Sequence, residues 1–295
     1  MYIHQYTKSL CCRYPFTTYC VFTFVITWGL KYVYTSVTTG NNLPSFNFSL
    51  IAQYGPSISA LFLIGITEGK EGYTRMLHSI VNWKVGAKWM FIAIAFEPII
   101  FFSITLLHSF LYTGSLPITG TTIFIASSSL IGSFLIGLFR WGLAEEIGWR
   151  GWMFPKLQQK MSPFKASLVM AIVITMWHIN PYYFSEAFSN QEGTYLLGKF
   201  PPVIERLIIS VPITLVVTYI FMNTKGSLLL MMIFHSSSNA SYFWLVETFG
   251  ITNTIFFRTS FLIALLIITI VFSFLLINRK QKNIPKSLVN NDKLM

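Results

Sequence analysis

The stretch Leu138–Arg150, which reads LFRWGLAEEIGWR, places two adjacent carboxylates, Glu145 and Glu146, inside one of the long apolar runs of the chain. An ionised carboxylate near hydrocarbon costs several kcal/mol even on lenient insertion scales. Acidic residues in membrane segments are therefore rare and usually functional. Two in succession mark this stretch as a helix that faces the inside of a bundle and as the first candidate site.

The composition around this stretch is that of an integral membrane protein. Of the 295 residues, 54% are hydrophobic, 17% are aromatic and only 11% are charged, against roughly 25% charged in an average soluble domain. The net charge of +11 would suggest nucleic acid in a soluble protein, but here the basic residues follow the membrane topology, so we expect no nucleic-acid partner. At about 20 residues per span, no length remains for a soluble domain of about 100 residues. We therefore predict a single membrane domain over residues 1–295.

Apolar runs long enough to span a bilayer recur along the whole chain, separated by polar or Gly/Pro punctuation. They cover residues 15–37, 46–66, 89–111, 122–154, 166–184, 207–222, 227–246 and 260–277. The predicted fold class is therefore all-α: a polytopic integral membrane helical bundle of about eight transmembrane helices.

Lysine and arginine are distributed unevenly between the connections. The connections 68–88 and 155–165 and the tail 279–293 are rich in basic residues, whereas 38–45 and 113–120 contain none. Because positively charged loops stay on the cytoplasmic side, we predict a multi-pass topology with both termini in the cytoplasm. The amphipathic connection 68–88 is expected to lie at the interface of the bilayer.

The first polar motif is Glu145-Glu146-x-x-x-Arg150. On a helix, Glu146 and Arg150 are related as i and i+4, which is the favourable order for an ion pair, whereas Glu145 points about 100° away and stays available. Two further intramembrane charges, Glu97 and Arg140, are expected to be packing or cavity partners. Three glycines leave room for another backbone or a substrate to approach: Gly142, Gly148 and Gly151.

Two histidine motifs occur in later apolar runs. His178 lies in the fifth run, ahead of Pro181, which should distort that helix. His235 and Asn239 lie in the seventh run and share one helical face. All three motifs lie about eight to twelve residues from the predicted cytoplasmic ends of their helices, which is roughly 12 to 18 Å of depth at about 1.5 Å per residue. They can therefore meet in one site, although each polar residue alone would also suit an interhelical hydrogen bond.

Motifs that are absent from the sequence narrow the chemistry. Asp292 is the only aspartate, which excludes a paired-aspartate protease, and neither His-Glu-x-x-His nor Gly-x-Ser-x-Gly occurs. What remains is glutamate and histidine acting on water. Glu145 could accept a proton from the water, with His178 sharing that task, while His235 and Asn239 donate to the oxyanion.

A metal-dependent version of the same chemistry is also open at this point. Glu145, His178 and His235 could bind a divalent ion such as zinc, which would activate the water in place of the glutamate. The glutamate mechanism requires no cofactor. The residue types alone do not separate these two mechanisms.

The three motifs together resemble those of the CPBP family, the CAAX proteases and bacteriocin-processing proteins, also called the Abi family. This family includes the Ras-converting type II CAAX prenyl endopeptidases. The resemblance covers about residues 122–245, which we predict to be the catalytic core, and it is strongest in Glu-Glu-x-x-x-Arg and the following Gly-Trp-x-Phe-Pro. One departure is Ile174, which stands where the second motif of the family usually begins with phenylalanine.

The resemblance assigns a role to each candidate residue. Glu145 would be the catalytic glutamate and His178 the second catalytic group. Glu146 and Arg150 would form the supporting pair, and His235 with Asn239 the oxyanion or metal-binding pair. The resemblance also implies a helical bundle of eight spans with a cavity open to the cytoplasmic side.

The leading functional prediction is an intramembrane endopeptidase, of the glutamate type or metal-dependent, that hydrolyses peptide bonds near the cytoplasmic leaflet. Its partners would be the lipid bilayer and a membrane-associated peptide or protein substrate, which is prenylated in the eukaryotic branch of the family. The alternative is a non-catalytic membrane interaction protein, such as a bacteriocin-immunity or regulatory scaffold, which would keep the motifs for folding alone. A proton-coupled transporter is disfavoured because the sequence contains no internal repeat of the kind many transporters have.

Overall fold

The structure, a computed structural model, describes residues 11–38, 48–114, 120–179, 201–249 and 254–279, together with residue 9. Throughout these residues the regular structure is helical and no strand occurs, which confirms the all-α fold class. The α-helices are α1 (Pro15–Thr38), α2 (Phe48–Gln53), α3 (Gly55–Thr67), α4 (Gly69–Ile80), α5 (Ala87–His108), α6 (Gly120–Gly137), α7 (Ala144–Gly148), α8 (Phe154–Gln158), α9 (Pro163–His178), α10 (Pro202–Asn223), α11 (Leu228–Phe249) and α12 (Ile255–Ile277). Short π-helical segments follow three of them: π1 (Ser109–Thr113), π2 (Leu138–Leu143) and π3 (Trp149–Met153).

Three helical stretches in the described part of the chain are long and apolar enough to cross a membrane: Ala87–Tyr112, Pro202–Asn223 and Ile255–Ile277. The last is the most apolar, with a mean hydropathy of 3.0, and it exposes large apolar side chains such as Leu266 and Phe274. Such a face is stable against lipid but not against water. The protein is therefore membrane-embedded, while the count of eight spans and the cytoplasmic termini stay predictions.

The second predicted span, 46–66, is not one continuous helix. α2 and α3 are separate, and Pro56 lies in the first turn of α3. Proline has no backbone N–H to donate and is well tolerated only at a helix start. The sequence at this point therefore begins a new helix instead of continuing the previous one, and the predicted run 46–66 is divided between two helices.

The segment that carries the two glutamates is longer and less regular than the predicted span 122–154. α6, π2, α7, π3 and α8 follow one another without interruption from Gly120 to Gln158. α7 has only 5 residues, contains both glutamates, and lies between two π-helical segments. Each π segment widens the backbone turn and re-aims the side chains near it, a geometry that recurs at functional sites.

Two of the glycines in this segment allow the backbone of another helix to approach closely. A Cβ on Gly148 would lie 2.5 Å from the carbonyl carbon of Pro56, and a Cβ on Gly142 would lie 2.9 Å from the Cα of Met232. Both distances are far inside van der Waals contact, so no larger residue fits. The glycines thus hold α3 and α11 directly against the glutamate segment.

α9 ends earlier than predicted. It begins at Pro163 and its last residue is His178, because Ile179 leaves the helix with φ −67° and ψ 131°. The rest of the predicted run 166–184, with Pro181, lies outside the described residues. His178 is therefore at a helix end and not in the middle of a span.

The serine run 236–238 on α11 connects this helix to its neighbours. Ser236 donates to the carbonyl of Phe134 in α6, and Ser237 donates to the carbonyl of Ile94 in α5 at 2.5 Å. These bonds satisfy buried hydroxyls that would otherwise be costly in an apolar interior. They also fix the rotation of α11, which sets where its histidine and asparagine point.

Candidate active site

One cavity of about 280 Å³ brings the three sequence motifs together. It lies between the glutamate segment, the end of α9, the start of α10 and the middle of α11. All six predicted site residues line it: Glu145, Glu146, Arg150, His178, His235 and Asn239. The rest of its wall is largely apolar, with a few convergent polar groups, which is the usual composition of a ligand site.

Glu146 is the buried anchor of the site. Arg150 Nη1 donates to Glu146 Oε1 at 3.0 Å, as the i,i+4 spacing predicted, and both side chains are at most 5% exposed. His235 Nδ1 lies 2.9 Å from the same oxygen. Because the carboxylate only accepts hydrogen bonds, Nδ1 must carry the proton. One carboxylate oxygen thus positions both a guanidinium and an imidazole.

This contact fixes what the other nitrogen of His235 can do. With its proton on Nδ1, the neutral ring presents a bare lone pair at Nε2, and Nε2 donates a hydrogen bond only in the imidazolium form. The anionic Glu146 beside the ring favours that form electrostatically. Asn239, one turn further along α11, lines the same cavity with a side-chain amide that can donate.

Glu145 is held by a tryptophan instead of by a basic residue. Trp149 Nε1 donates to Glu145 Oε2 at 3.2 Å, again across one helical turn. The carboxylate is 5% exposed and lies within electrostatic range of His235 and Arg206. We expected the histidines to face Glu145, but His235 bonds directly to Glu146 and interacts with Glu145 through its charge.

His178 has both ring nitrogens engaged. Nδ1 lies 2.8 Å from the backbone carbonyl of Ile174, which can only accept, and Nε2 contacts the guanidinium of Arg206, which can only donate. The ring is therefore neutral, with its proton on Nδ1 and its lone pair on Nε2. Histidine tautomers are routinely set by such partners.

Arg206 is a cavity residue that our sequence analysis did not identify. It lies in the first turns of α10 and is partly buried, one position before the predicted run 207–222. The sequence signal was an arginine directly before an apolar run, because a charged residue at the edge of a membrane segment is as strong a site candidate as one inside it. Its neighbour in space could not be inferred, since α9 and α10 are separated by a long connection.

Glu97 was expected to be a packing or cavity partner, and it lines the cavity from α5. Ser238 donates to its Oε2, and the side chain is buried. Arg140, the other intramembrane charge, is exposed and lies over the ring of Trp141 at 5.7 Å. It does not line the cavity.

A chain of aromatic rings packs behind two of the candidate site residues. Trp149 makes edge-to-face contacts with Tyr19 and Trp177, with ring centroids 5.9 Å and 5.6 Å away. The indole N–H of Trp177 donates to Thr27 on α1 at 2.8 Å. Because Trp177 precedes His178 and Trp149 bonds Glu145, this packing fixes both site residues relative to α1.

The predicted metal ligands are not arranged as a metal site. Among the described residues no group of three or more His, Cys, Asp or Glu side chains is placed to hold one ion. The geometry gives the reason: His235 turns Nδ1 toward Glu146, and Nε2 of His178 faces the positive charge of Arg206. A cation beside that guanidinium would be repelled, so the residues present do not fit a zinc ion.

Comparison with known proteins agrees with the resemblance. Residues 127–241 match the family model described as type II CAAX prenyl endopeptidase Rce1-like. This segment is similar to that CAAX protease family. Over 96 residues the chain is 34% identical to CAAX prenyl protease 2 of Methanococcus maripaludis, a match that covers 31% of this chain and 32% of the relative. The chain thus matches about a third of the length of that relative, and the matched family segment contains every predicted site residue.

Proposed function

We propose that this protein is an intramembrane endopeptidase of the CAAX protease type, which hydrolyses peptide bonds of membrane-associated substrates. The single observation that carries the proposal is the cavity in which Glu145, His178, His235 and Asn239 face one space. The family match over residues 127–241 supports the reaction class. A buried acid, two imidazoles and an amide around one cavity are the groups that water-mediated amide hydrolysis needs.

In the proposed reaction Glu145 accepts a proton from a water molecule in the cavity. The water oxygen forms a bond to the scissile carbonyl carbon, and the carbonyl oxygen becomes an oxyanion. The imidazolium Nε2 of His235 and the amide of Asn239 donate to that oxyanion, and a donor of this kind is typically worth about 3 to 4 kcal/mol in the transition state. The C–N bond then breaks, and the leaving nitrogen receives the proton from Glu145, directly or by way of His178.

The two glutamates have different roles in this mechanism. Glu146 keeps Arg150 and His235 in place through contacts of one carboxylate oxygen with both side chains. Glu145 has only an indole donor in its described contacts, so its carboxylate can change protonation without breaking an ion pair. The proposed base is therefore Glu145, and the proposed mechanism requires no metal ion.

We further propose that the site is open toward the cytoplasmic leaflet and that its substrate is a peptide or protein held at the membrane, prenylated or not. The basic connections and the family resemblance support this orientation. A non-catalytic scaffold is the rival function, since the same contacts would also stabilise a fold. Activity measurements separate the two.

The test is hydrolysis of an internally quenched peptide by purified protein in lipid nanodiscs, with and without a farnesylated cysteine in the peptide. We expect Glu145→Gln and His235→Ala to lower kcat by about 10²- to 10⁴-fold, the range of general acid-base and oxyanion contributions. Glu71→Gln, at an exposed position on α4 outside the cavity, is the matched control and should keep wild-type activity. Equal rates for wild type and Glu145→Gln would favour the scaffold.

A chelator in the same assay tests the metal-dependent version. Because the described ligand set does not fit one ion, we expect the rate to stay unchanged after exhaustive treatment with a chelator. A loss of activity that added zinc restores would overturn the glutamate mechanism in favour of the metal.

A further inference from the structure

α4 has an apolar face that the other described helices do not cover. Met76 and Ser79 are buried and turn another side of this helix toward the bundle. Leu77 and Val81, one helical turn apart, are 61% and 62% exposed, and Trp83 just beyond the helix end is 65% exposed. We call these last three side chains the α4 stripe. Exposed apolar groups of this size are costly in water but stable within the interface of a bilayer.

Two lysines follow the stripe, and each lies over an aromatic ring. Lys84 Nζ is 5.9 Å from the ring centroid of Trp83, and Lys88 Nζ is 5.3 Å from that of Trp89. Both lysines are exposed. In such a pair the aliphatic stem covers the ring while the ammonium reaches the polar side. Tryptophan and lysine are arranged in this way where a protein meets lipid headgroups.

A third cation, from the far end of the chain, joins the same surface. The guanidinium of Arg279, just after α12, lies 5.4 Å from the ring centroid of Tyr219, and that ring is 6.1 Å from Trp89. Arg279 Nη2 also donates to Asn223 at the end of α10, at 2.6 Å. Cations and rings therefore alternate from the start of α5, across α10, to the end of α12.

Hydrogen bonds hold α4 beside these helix ends. Ser79 donates to the carbonyl of Gly226, and Ser227 donates to the carbonyl of Asn82 at 2.6 Å. Both bonds join the end of α4 to the connection that follows α10, whose last turn binds Arg279. The stripe and the cations are thus held together before any partner binds, so little ordering opposes binding.

Positive charge is in excess on this surface. Glu68 is compensated, because it bonds both Arg75 and Lys156. Glu71 remains as an exposed acid on α4. Three cations make no ion pair with any carboxylate of the described residues, and we call them the basic row: Lys84, Lys88 and Arg279. An excess of cations beside an exposed apolar stripe is complementary to a negatively charged lipid surface.

We propose that the α4 stripe and the basic row form a docking surface for anionic phospholipids of the adjacent leaflet. The stripe inserts below the phosphates, and the basic row pairs with the headgroups. A lipid partner fits better than a soluble protein, because the surface continues into the lipid-facing side of a helix long enough to cross the membrane: Phe91 on α5 is 64% exposed. The proposal does not depend on peptide hydrolysis.

Quenching by brominated lipids tests the surface directly. The full chain is reconstituted in vesicles with equal amounts of phosphatidylcholine and phosphatidylglycerol, and the bromine is on the acyl chains of one lipid or of the other. The signal of Trp83 is the difference between wild type and Trp83→Phe. We expect brominated phosphatidylglycerol to quench this signal more strongly. The excess should shrink in about 1 M salt, where the screening length falls to about 3 Å.

Charge variants measure what each cation contributes. A basic residue near an anionic leaflet is worth about 1 kcal/mol, which is about a fivefold change in an association constant. Lys84→Gln, Lys88→Gln and Arg279→Gln should each lower the preference for phosphatidylglycerol by up to about fivefold. Arg13→Gln is the matched control, because Arg13 is exposed and lies over the ring of Tyr14 on another helix. It removes the same charge and should leave the preference unchanged.

Three results would overturn the proposal. Equal quenching by the two brominated lipids would exclude a selection of anionic headgroups. Equal losses in Arg13→Gln and in the basic-row variants would assign the preference to net charge instead of to this surface. Quenching of Trp83 by aqueous iodide and by neither lipid would place the stripe in water or against a protein. If Arg279→Gln does not fold, the double variant at the two exposed lysines decides the outcome, and it should lower the preference by up to about 25-fold.

Discussion

The two adjacent glutamates should respond differently to replacement by glutamine. We expect Glu146→Gln to reduce mainly the stability of the protein and Glu145→Gln to reduce mainly its activity. Glu146 is 1% exposed and bonds both Arg150 and His235 through one oxygen. Glu146→Gln removes the negative charge between these two groups and leaves the guanidinium buried without a counter-charge. Breaking a buried ion pair from one side costs about 3 to 5 kcal/mol. The amide oxygen of glutamine still accepts one hydrogen bond, so we expect a loss near 3 kcal/mol.

Glu145→Gln, by contrast, should change the free energy of unfolding only slightly. The glutamine oxygen can still accept the indole N–H of Trp149, so the loss is the difference between a charged and a neutral acceptor, about 1 kcal/mol. Activity should show the reverse order, because the amide cannot accept a proton from water. We therefore expect Glu145→Gln to abolish turnover in a folded protein.

Thermal unfolding in nanodiscs, followed by intrinsic tryptophan fluorescence, measures the stability difference. At about 2 to 4 °C per kcal/mol for a chain of this size class, Glu146→Gln should lower the Tm by roughly 6 to 12 °C and Glu145→Gln by less than about 4 °C. Glu71→Gln provides the baseline for an exposed glutamate. If the two site variants shift the Tm equally, the assignment of separate roles to the two glutamates is refuted.

Three further substitutions test the support of the site. Trp149→Phe keeps an aromatic ring but removes the donor to Glu145, and we expect kcat to fall about tenfold, the value of one modest hydrogen bond, with KM unchanged in the peptide assay. Gly148→Ala would push a methyl group into Pro56, so we expect about 1 to 3 kcal/mol of destabilisation, read as a lower Tm or a lost folded fraction in size-exclusion chromatography. Ser238→Ala removes the hydroxyl that donates to the buried carboxylate of Glu97. We expect the free energy of unfolding to fall by about 1 kcal/mol, measured as a modestly lower Tm.

Local geometry was predictable from the sequence wherever one helical turn decides it. The pair Glu146 and Arg150 follows directly from the i,i+4 spacing, and the structure confirms it. The convergence of His178 and His235 on the glutamate segment followed from comparable depth, and both line the cavity. Periodicity within one helix and depth within a bilayer can both be read from a single segment of sequence, without knowing which helices pack against it.

Contacts between helices could not be predicted in the same way. The sequence did not reveal that His235 would bond Glu146 instead of facing Glu145, because the rotation of α11 is set by serine bonds to other helices. Nor did it reveal the π-helical segments around α7, which depend on how tightly α3 and α11 pack there. The position of Arg206 beside His178 depends on the packing of α9 against α10. Residue spacing predicts contacts within one helix but not between two helices that a long connection separates.

The most direct test of the central claim is single-turnover hydrolysis in H₂¹⁸O, followed by mass spectrometry of the product peptide and of the Glu145 side chain. If Glu145 activates water that attacks the substrate, one ¹⁸O enters the new carboxylate of the product and none enters Glu145. Oxygen-18 in the Glu145 carboxylate would reveal a covalent acyl-glutamate, and the absence of any cleaved product would contradict the peptidase itself.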